Sequence, residues 1–254
     1  MPLTTLLSPE TAPLRTMTVS RLQLEQAASF CTLAATGEEI LLYPLVGHIR
    51  VQHGAQCLGV IGGRQSVTHR GVECLRLPRE DGMSVQLILQ SYAADLLIVS
   101  TLQPGPATAG CIHQGDVAYH EVGEGTHRRE VREVPTPLGY RLHAGETLNI
   151  PGGWSSWPSH ATPEETVRYA EHEECFFVIS PGYGLMHTNG IYPTGQTTQD
   201  ILKIGNGDAV VTPLGSHEIV FAPGAWGWYA WFYMSFLQKT YNRWADEGVK
   251  TYVK

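Results

Sequence analysis

The sequence predicts an all-β protein built from many short antiparallel strands. Its 27 glycines and 16 prolines are spread along 254 residues rather than gathered in one linker. They separate short apolar runs that are rich in β-branched and aromatic residues, which is typical of the strands of a sandwich or barrel. No long segment has the helical periodicity that alternates with strands in a parallel sheet.

The predicted strands fall into two groups along the chain. The first group comprises Glu39–Val46, Ile49–Val51, Val85–Leu89 and Asp95–Val99. The second group comprises Cys175–Ile179, Ala209–Thr212, Glu218–Phe221 and Trp228–Tyr233. Helical patterns are few: Thr18 to Ser29 could form one or two turns of helix, and Gln238 to Asp246 could form a short terminal helix.

The two halves of the chain echo each other. Each half has a Gly-Asp turn signal, Gly115-Asp116 in the first and Gly207-Asp208 in the second. Between them, Val131–Pro137 carries two prolines, which suit an exposed connection better than a central strand. We therefore expect two similar β domains, residues 1–132 and 133–254, with one large sandwich as the alternative.

Composition narrows the classes of partner. The formal net charge is −7 and no basic run is present, so we expect no nucleic-acid partner. No apolar stretch approaches the eighteen or so residues of a membrane span, and the first residues lack the pattern of a signal peptide. Five isolated cysteines without a CxxC pair fit a reducing compartment. We therefore expect a cytoplasmic protein without a membrane partner.

Three residues of metal-ligand type follow one another in the second half: His160, Glu174 and His217. Two imidazoles and a carboxylate are a donor set that can hold a divalent cation with an open coordination position. His217 directly follows a Pro-x-Gly turn and opens a strand, so its side chain could point into the mouth of a barrel. Taken alone, the same pattern also fits an ordinary hairpin with a solvated histidine.

Strand alternation separates the acidic residues before Cys175. It places Glu174 and Phe176 on one face of the strand, and Glu173 with Cys175 on the other. If Glu174 faces into a barrel, its carboxylate needs a cation or a hydrogen-bond donor to offset burial. A solvated acidic strand start is the alternative.

The segment from Asn149 to His160 carries a resemblance to a known family. It reads Asn-Ile-Pro-Gly-Gly-Trp-Ser-Ser-Trp-Pro-Ser-His and resembles the Gly-Asn-Trp-Ser-Ser-Tyr-Pro-Pro-His stretch of the bacterial 5-deoxy-glucuronate isomerase family of inositol catabolism, which is related to 5-keto-4-deoxyuronate isomerase. Glu173-Glu174-Cys-Phe-Phe resembles that family's Glu-Glu-x-Tyr-Tyr, and Pro213-Leu-Gly-Ser-His217 its Pro-Arg-Gly-Tyr-His. The series of ligand residues in this glycine-proline frame also looks like the paired signature of a cupin β-barrel.

The resemblance implies a fold and an activity. The fold is a bicupin, two antiparallel β-sandwich (jelly-roll) barrels in one chain, with the metal in the second barrel. The activity is the aldose–ketose isomerisation of a deoxy-uronic acid, with Zn, Mn, Fe or Ni as the divalent metal. By position, the ligands are His160, Glu174 and His217.

One position departs from the family pattern. The family's remaining histidine follows the first by two residues, and Thr162 stands there in this chain. The neutral hydroxyl of threonine is a poor replacement for imidazole, so metal affinity falls unless His172 or His187 supplies a ligand.

Candidates for the other roles follow from the proposed chemistry. Isomerisation through an enediol needs a general base, for which the neighbouring candidates are Glu173, His172 and Tyr229. The substrate carboxylate calls for a cation, for which the candidates in this half are Arg168 and Lys203. Trp154 and Trp157 could wall a sugar, although tryptophans in β proteins more often pack a core.

Two other functions remain open from the sequence. The first is a bicupin that binds a sugar acid without turnover, which Thr162 favours. The second is a metal cupin of another reaction class, such as a dioxygenase, because the same ligands can hold Fe(II). In each case the partner is a small-molecule sugar acid or related ligand, and exposed strand edges make a homodimer the expected assembly.

Overall fold

The computed structural model describes residues 3–26, 30–35, 39–77, 83–102, 109–161, 172–191, 197–212, 216–235 and 244–245. Within these ranges the chain is almost entirely strand, with short 3₁₀ helices at Gln114–Asp116 and Gly125–His127. The prediction of an all-β fold is confirmed. In the part of the chain that the structure describes, no helix is long and apolar enough to cross a membrane.

The chain divides into two compact units. The first unit comprises Met1–Ala118 and Val134–His143, and the second comprises Tyr119–Glu133 and Ala144–Lys254. The chain therefore passes from one unit to the other three times, at 118/119, 133/134 and 143/144. The boundary that the sequence suggests, between residues 132 and 133, lies inside the strand Arg129–Val134.

The first unit is a sandwich of two antiparallel sheets. Its strands are β1 (Leu3–Leu7), β2 (Met17–Glu25), β3 (Phe30–Ala35), β4 (Glu39–Val46), β5 (His48–His53), β6 (Gln56–Gly62), β7 (Cys74–Arg76), β8 (Met83–Leu89), β9 (Ala93–Thr101) and β10 (Gly110–Ile112). One sheet has the order β1-β2-β9-β4-β7-β10 and the other β3-β8-β5-β6. The helix expected between Thr18 and Ser29 is wrong. Residues 18–25 belong to β2 instead, because Leu22 and Leu24 alternate into the core, and residues 27–29 lie outside the described residues.

The second unit repeats this architecture. Its strands are β11 (Ala118–Val122), β12 (Arg129–Val134), β13 (Leu142–Asn149), β14 (Trp154–Ala161), β15 (His172–Ile179), β16 (Tyr183–Ile191), β17 (Thr197–Gly205), β18 (Ala209–Val211), β19 (Ser216–Phe221), β20 (Gly227–Ser235) and β21 (Trp244–Ala245). The six-stranded sheet has the order β11-β12-β13-β20-β15-β18, and the five-stranded sheet has the order β17-β16-β19-β14-β21. Core residues from both sheets pack against one another between them.

The two cores differ in composition. The core of the first unit is dominated by leucine, isoleucine and valine side chains from both of its sheets. The core of the second unit contains the aromatic rings of Phe176, Phe221, Tyr229 and Trp231. Gly145 makes room for one of them, since a Cβ at this position would collide with the Trp231 ring.

A buried carboxylate holds the crossing segment in the first unit. Glu39 of β4 is fully buried and accepts a hydrogen bond from Nη1 of Arg76 at 2.9 Å. The same carboxylate accepts the backbone N–H groups of Arg141 at 2.9 Å and Leu142 at 3.2 Å. The Tyr140 ring lies over the guanidinium of Arg76, 4.9 Å from its centroid. Residues 134–143 are therefore fixed to the first unit by one carboxylate and its donors.

Replacing Glu39 by Ala should destabilise the protein by about 3–5 kcal/mol, because it leaves the Arg76 charge buried without its carboxylate. The free energy of unfolding in urea measures this. The exposed pair Arg128–Glu121 provides the control, and Glu121→Ala should change the stability by less than about 1 kcal/mol. Equal effects of the two substitutions would show that the buried Glu39 carboxylate does not stabilise the fold in this way.

His143 should make the stability depend on pH. Burial, and secondly the charge of Arg76, lower the pKa of His143 from 6.5 to about 4. Between these values the unfolded chain binds a proton that the folded chain does not, so stability falls as the pH drops from about 6.5 to about 4. Melting temperatures across this range should fall less steeply in His143→Gln. An unchanged slope would show that His143 is not the titrating group.

Candidate metal centre

Glu174 faces the interior of the second barrel. It lies two residues before Phe176 on β15, and Phe176 belongs to the core. Across the sheet, β20 places Tyr233 opposite Glu174 and Trp231 opposite Phe176. Only 4% of Glu174 and 3% of Tyr233 is exposed. A carboxylate and a phenol are therefore neighbours on the inner face of the six-stranded sheet.

His217 reaches the same interior from the five-stranded sheet. It lies two residues before the core residue Ile219 on β19, and 1% of it is exposed. Its ring centroid is 5.1 Å from that of Phe176. Because Phe176 shares a face with Glu174, the carboxylate and the imidazole both face the barrel interior, one from each sheet.

His160 is brought opposite His217 by a bulge in β14. Ser155 pairs with Ile219 and His160 with His217, so five residue steps of β14 face two of β19. Ser156, inside the bulge, has a φ of 54°. Directly paired residues of antiparallel strands have Cα atoms about 4.5–5.5 Å apart. The backbone thus brings these two predicted ligand positions together, while the side chain of His160 lies outside the described atoms.

The surroundings of Glu174 fit a cation and its ligands. On the side away from Tyr233, the backbone N–H of Thr212 donates to the Glu174 carbonyl at 3.0 Å. The hydroxyl of Thr212 is buried, and among the described residues it has no hydrogen-bond partner. A divalent cation would compensate for the burial of the carboxylate and the imidazole, and an oxygen ligand bound to the cation could hydrogen-bond to the Thr212 hydroxyl.

A third candidate ligand can be named by strand register alone. Within the described part of the chain, no group of three histidine, cysteine, aspartate or glutamate side chains is close enough to hold a metal ion. His160 is the candidate by register, and His172, which pairs with Ser235, is described by its backbone alone. Thr162 and Arg168 lie outside the described residues.

His187 is not available as a substitute ligand. It pairs with Glu218 on β19, one residue from His217 and hence on the opposite face. Its Nδ1 lies 2.6 Å from Oε1 of Glu218. The alternative in which His187 replaces the missing imidazole is wrong.

The register of β15 and β20 places two of the predicted general bases away from the side of β15 that carries the Glu174 carboxylate, or at a distance from it. Glu173 is buried, pairs with Met234 and lies on the face of β15 away from the barrel interior. Tyr229 faces the interior but pairs with Val178, four residues from Glu174 along β15. At about 3.3 Å per residue the two backbone positions are about 13 Å apart, and the Tyr229 hydroxyl is hydrogen-bonded to Ser155. Neither residue fits the role, and His172 remains a prediction.

Tyr229 has a different part in the structure. Its hydroxyl lies 2.6 Å from Oγ of Ser155, and both residues are buried. Its ring also packs edge-on against Phe176, with 5.6 Å between the centroids. The hydrogen bond ties β14 to β20 across the barrel, which gives the first serine of the Trp-Ser-Ser motif a structural role.

The predicted substrate cation Lys203 lies outside the barrel. It pairs with Leu185, in phase with exposed residues of the outer face. Its ammonium lies 5.0 Å from the centroid of the Tyr183 ring. The prediction that Lys203 binds a substrate carboxylate in the barrel is therefore wrong, since strand alternation carries it to the opposite face.

The predicted sugar walls also lie off the barrel interior. Trp154 precedes Ser155, whose hydroxyl points inward, so alternation turns Trp154 outward, and 38% of it is exposed. The Trp154 and Trp157 rings are in edge contact at 5.8 Å. With Thr126 and His127 they line a cavity of about 240 Å³.

Tyr233 and Thr212 are the site residues that sequence reasoning missed. Tyr233 ends a strand that the aromatic run Trp228–Tyr233 predicts, and Thr212 ends the strand predicted for Ala209–Thr212. What the sequence lacks is the register that places both beside Glu174. No sequence signal fixes that register, because it depends on pairing between distant segments.

Two jelly-roll barrels in one chain, with carboxylate and imidazole groups gathered inside the second, define a bicupin. The chain belongs to the KduI/IolB family, whose model matches residues 2–248. It is 28% identical over 141 residues to the 5-deoxy-glucuronate isomerase of Geobacillus kaustophilus, covering 53% of this chain and 51% of that protein. It is 23% identical over 247 residues to the enzyme of that name from Shouchella clausii, covering 95% and 88%. The first alignment spans about half of the relative's length.

Solved structures share the fold. An IolB-like protein from Salmonella typhimurium matches with a TM-score of 0.82 and 21% identity, over 96% of this chain and 92% of that one. Oxalate decarboxylase of Lactobacillus farciminis, in complex with formate, matches with a TM-score of 0.68 and 12% identity, over 98% and 85%. At these identities the likeness establishes the architecture.

The Ser155–Tyr229 hydrogen bond should be measurable as a coupling energy. Ser155→Ala or Tyr229→Phe alone leaves a buried hydroxyl without its partner and should cost about 1–3 kcal/mol. The double variant should cost less than the sum of the two, as urea unfolding of the four proteins would measure. Additive effects would show that the bond contributes no coupling.

Proposed function

We propose that this protein is a metal-dependent isomerase that interconverts the aldose and ketose forms of a deoxy-uronic acid such as 5-deoxy-glucuronate. The observation that carries the proposal is the burial of Glu174 and His217 near Phe176, on the inner faces of the two opposite sheets of the second barrel. Membership of the KduI/IolB family and relatives named 5-deoxy-glucuronate isomerase support this reaction. The five free cysteines support a reducing, cytoplasmic location.

Glu174 and His217 would hold the cation, with His160 as the third ligand. Once bound, a divalent metal would stabilise negative charge on the carbonyl and hydroxyl oxygens of the sugar as the enediol forms. The barrel supplies what such a centre needs from the protein. The aromatic rings of Phe176, Tyr229 and Trp231 exclude water below the ligands, and Thr212 offers a hydroxyl beside Glu174.

Tyr233 is our candidate for handling a proton at this site. Aldose–ketose isomerisation moves a proton between adjacent carbons and another between their oxygens. Tyr233 lies directly across the sheet from Glu174, and its buried phenol can donate or accept a hydrogen bond. His172, two residues before Glu174 on the same strand, is the alternative.

A second candidate is a bicupin that binds a sugar acid without turnover. Thr162 favours it, since the position holds histidine in the family pattern and threonine here. Glu174, His217 and His160 would still supply three protein ligands, the number that catalytic zinc sites use beside an open position. We therefore place the isomerase first.

The ligand roles can be tested with two variants and one control. Glu174→Gln and His217→Gln should each lose the bound divalent metal and lower isomerase activity on 5-deoxy-glucuronate by more than about 100-fold, because each removes a direct ligand. Metal analysis and the rate of ketose formation are the measurements. Glu218→Gln alters the adjacent residue on the outer face and should keep both metal and activity.

Three results would redirect the proposal. Purified wild-type protein that contains no metal, and whose melting temperature does not change when a chelator is added, would count against the metal centre. Ligand-induced stabilisation by sugar acids without turnover would favour the binding protein. Oxygen consumption with Fe(II) would favour an oxygenase.

A further inference from the structure

The outer face of the five-stranded sheet carries apolar side chains in a row across four strands. The strands β17, β16, β19 and β14 lie side by side in this order. Their pairing places one residue of each strand in that row: Lys203, Leu185, Val220 and Trp154. The row points away from the barrel interior, because the neighbouring residues Met186 and Ile219 belong to the core.

A second row on the same face lies two residues along the strands. Ile201 of β17 pairs with His187 of β16, and His187 pairs with Glu218 of β19. Opposite Glu218, β14 forms the bulge that carries Trp157. Nδ1 of His187 and Oε1 of Glu218 are 2.6 Å apart, so a base and an acid occupy the centre of the face. Ile201 and Trp157 lie on either side of them.

Four large apolar side chains of this face are open to solvent. The exposed fraction is 71% for Ile201, 48% for Tyr183, 40% for Leu185 and 38% for Trp154. Tyr183 shares the face because it lies two residues before Leu185 on β16. Single exposed apolar residues are normal on a protein surface, whereas a contiguous apolar patch with polar groups around it marks an interaction site.

The area of the face fits a small protein interface. Four strands about 4.8 Å apart, each about 26 Å long, give a flat area of about 500 Å², and the relief of the side chains adds to it. Interfaces of standard size bury about 800 Å² on each partner, and weaker, reversible ones bury less. The face therefore suits a partner that associates reversibly.

The face has a projecting side chain at one edge and a cavity at the other. Ile201 projects from β17, and a cavity of about 240 Å³ beside β14 is lined by Thr126, His127, Trp154 and Trp157. An apolar cavity of about 150 Å³ holds the six carbons of benzene, so this one has room for the four-carbon side chain of isoleucine. Ile201 cannot enter the cavity of its own chain, because three strand intervals, about 14 Å, separate β17 from β14.

A two-fold axis parallel to the strands, between β16 and β19, would bring Ile201 and the cavity together. It lays the same face of a second copy on the first with the strand order reversed, so that β17 of each copy lies over β14 of the other. Ile201 of each copy then lies over the bulge and cavity of the other. Such a contact uses one patch twice and closes as a dimer, and packed sheets with nearly aligned strands are a common arrangement.

The same axis also brings complementary groups together. It places β19 of each copy over β16 of the other, so that Glu218 of one copy faces His187 of the other. It places Lys203 of each copy over Trp154 of the other, and an ammonium group is attracted to the face of an indole ring. Complementary charge across an interface favours the correct partner and register. The face is thus complementary to itself in shape and in charge.

We propose that the outer face of β17, β16, β19 and β14 binds a second copy of this chain, with Ile201 of each copy in the tryptophan-lined cavity of the other. The face lies outside the barrel that holds Glu174 and His217. The dimer and the isomerase function are therefore independent, and either can fail without the other.

Sedimentation velocity of the full-length chain over a concentration series tests the dimer. The wild type should show a reversible monomer–dimer equilibrium. Ile201→Asp should weaken association by about tenfold or more, because it buries a charge in an apolar cavity, and Ile201→Ala should have a smaller effect. Leu138→Asp is the matched control, since Leu138 is fully exposed and lies in the other unit. Melting temperatures show whether each variant is folded.

Crosslinking of mixed chains tests the predicted contact itself. In a Cys57→Ser background, which removes an exposed native thiol, one chain carries Ile201→Cys and the other Thr126→Cys. A short bismaleimide linker should join the two chains in the mixture. It should join neither variant to itself, because the two copies of each position lie about 14 Å or more apart across the axis.

Three results would overturn the proposal. The first is a wild type that stays monomeric at every concentration. The second is a dimer that Leu138→Asp dissociates and folded Ile201→Asp does not, since it would use another surface. The third is a crosslink that forms in a single variant as readily as in the mixture.

Discussion

The pairing of β15 with β20 is the constraint on which the site depends. It sets Glu174 opposite Tyr233 and Phe176 opposite Trp231 on the inner face of the six-stranded sheet. Because successive residues of a strand face opposite sides, a slip of one residue would turn Glu174 out and Glu173 in. The long aromatic run of β20 opposes such a slip, since Trp231 packs over Gly145, where any larger residue would collide with it.

In the five-stranded sheet, β14 contributes to the core at one end and to the candidate metal centre at the other. Before its bulge, β14 joins the core through Ser155 and turns Trp154 to the surface. After the bulge, the same strand returns to register with His160 opposite His217. A regular strand of this length could not satisfy both ends. Bulges are common beside functional sites for this reason, since they re-aim side chains without ending the sheet.

Period-two reasoning predicts much of the fold from the sequence and part of the site. The apolar runs predict β4, β8, β9, β15 and β20, and alternation already separates Glu174 from Glu173. The roles predicted for Tyr229 and Lys203 are wrong because they were inferred from distance along the sequence rather than from distance in space. Tyr229 and Lys203 are near the ligands along the chain, yet the first lies deep in the core and the second outside. Tyr233 and Thr212 require the cross-strand register, which is set by contacts between distant segments, and the extra residues of β14 have no local signal.

The hydrogen bonds of the Glu39 carboxylate limit how the chain can be divided into separate domains. Its donors at Arg141 and Leu142 come from a segment that follows part of the second unit in the chain. A single cut of the chain at any of the three crossings would therefore leave one unit without a segment that belongs to it. Residues 1–132 made alone would bury Glu39 without two of its N–H donors. Because each unit is built from two separate segments of the chain, neither corresponds to one continuous stretch of the sequence.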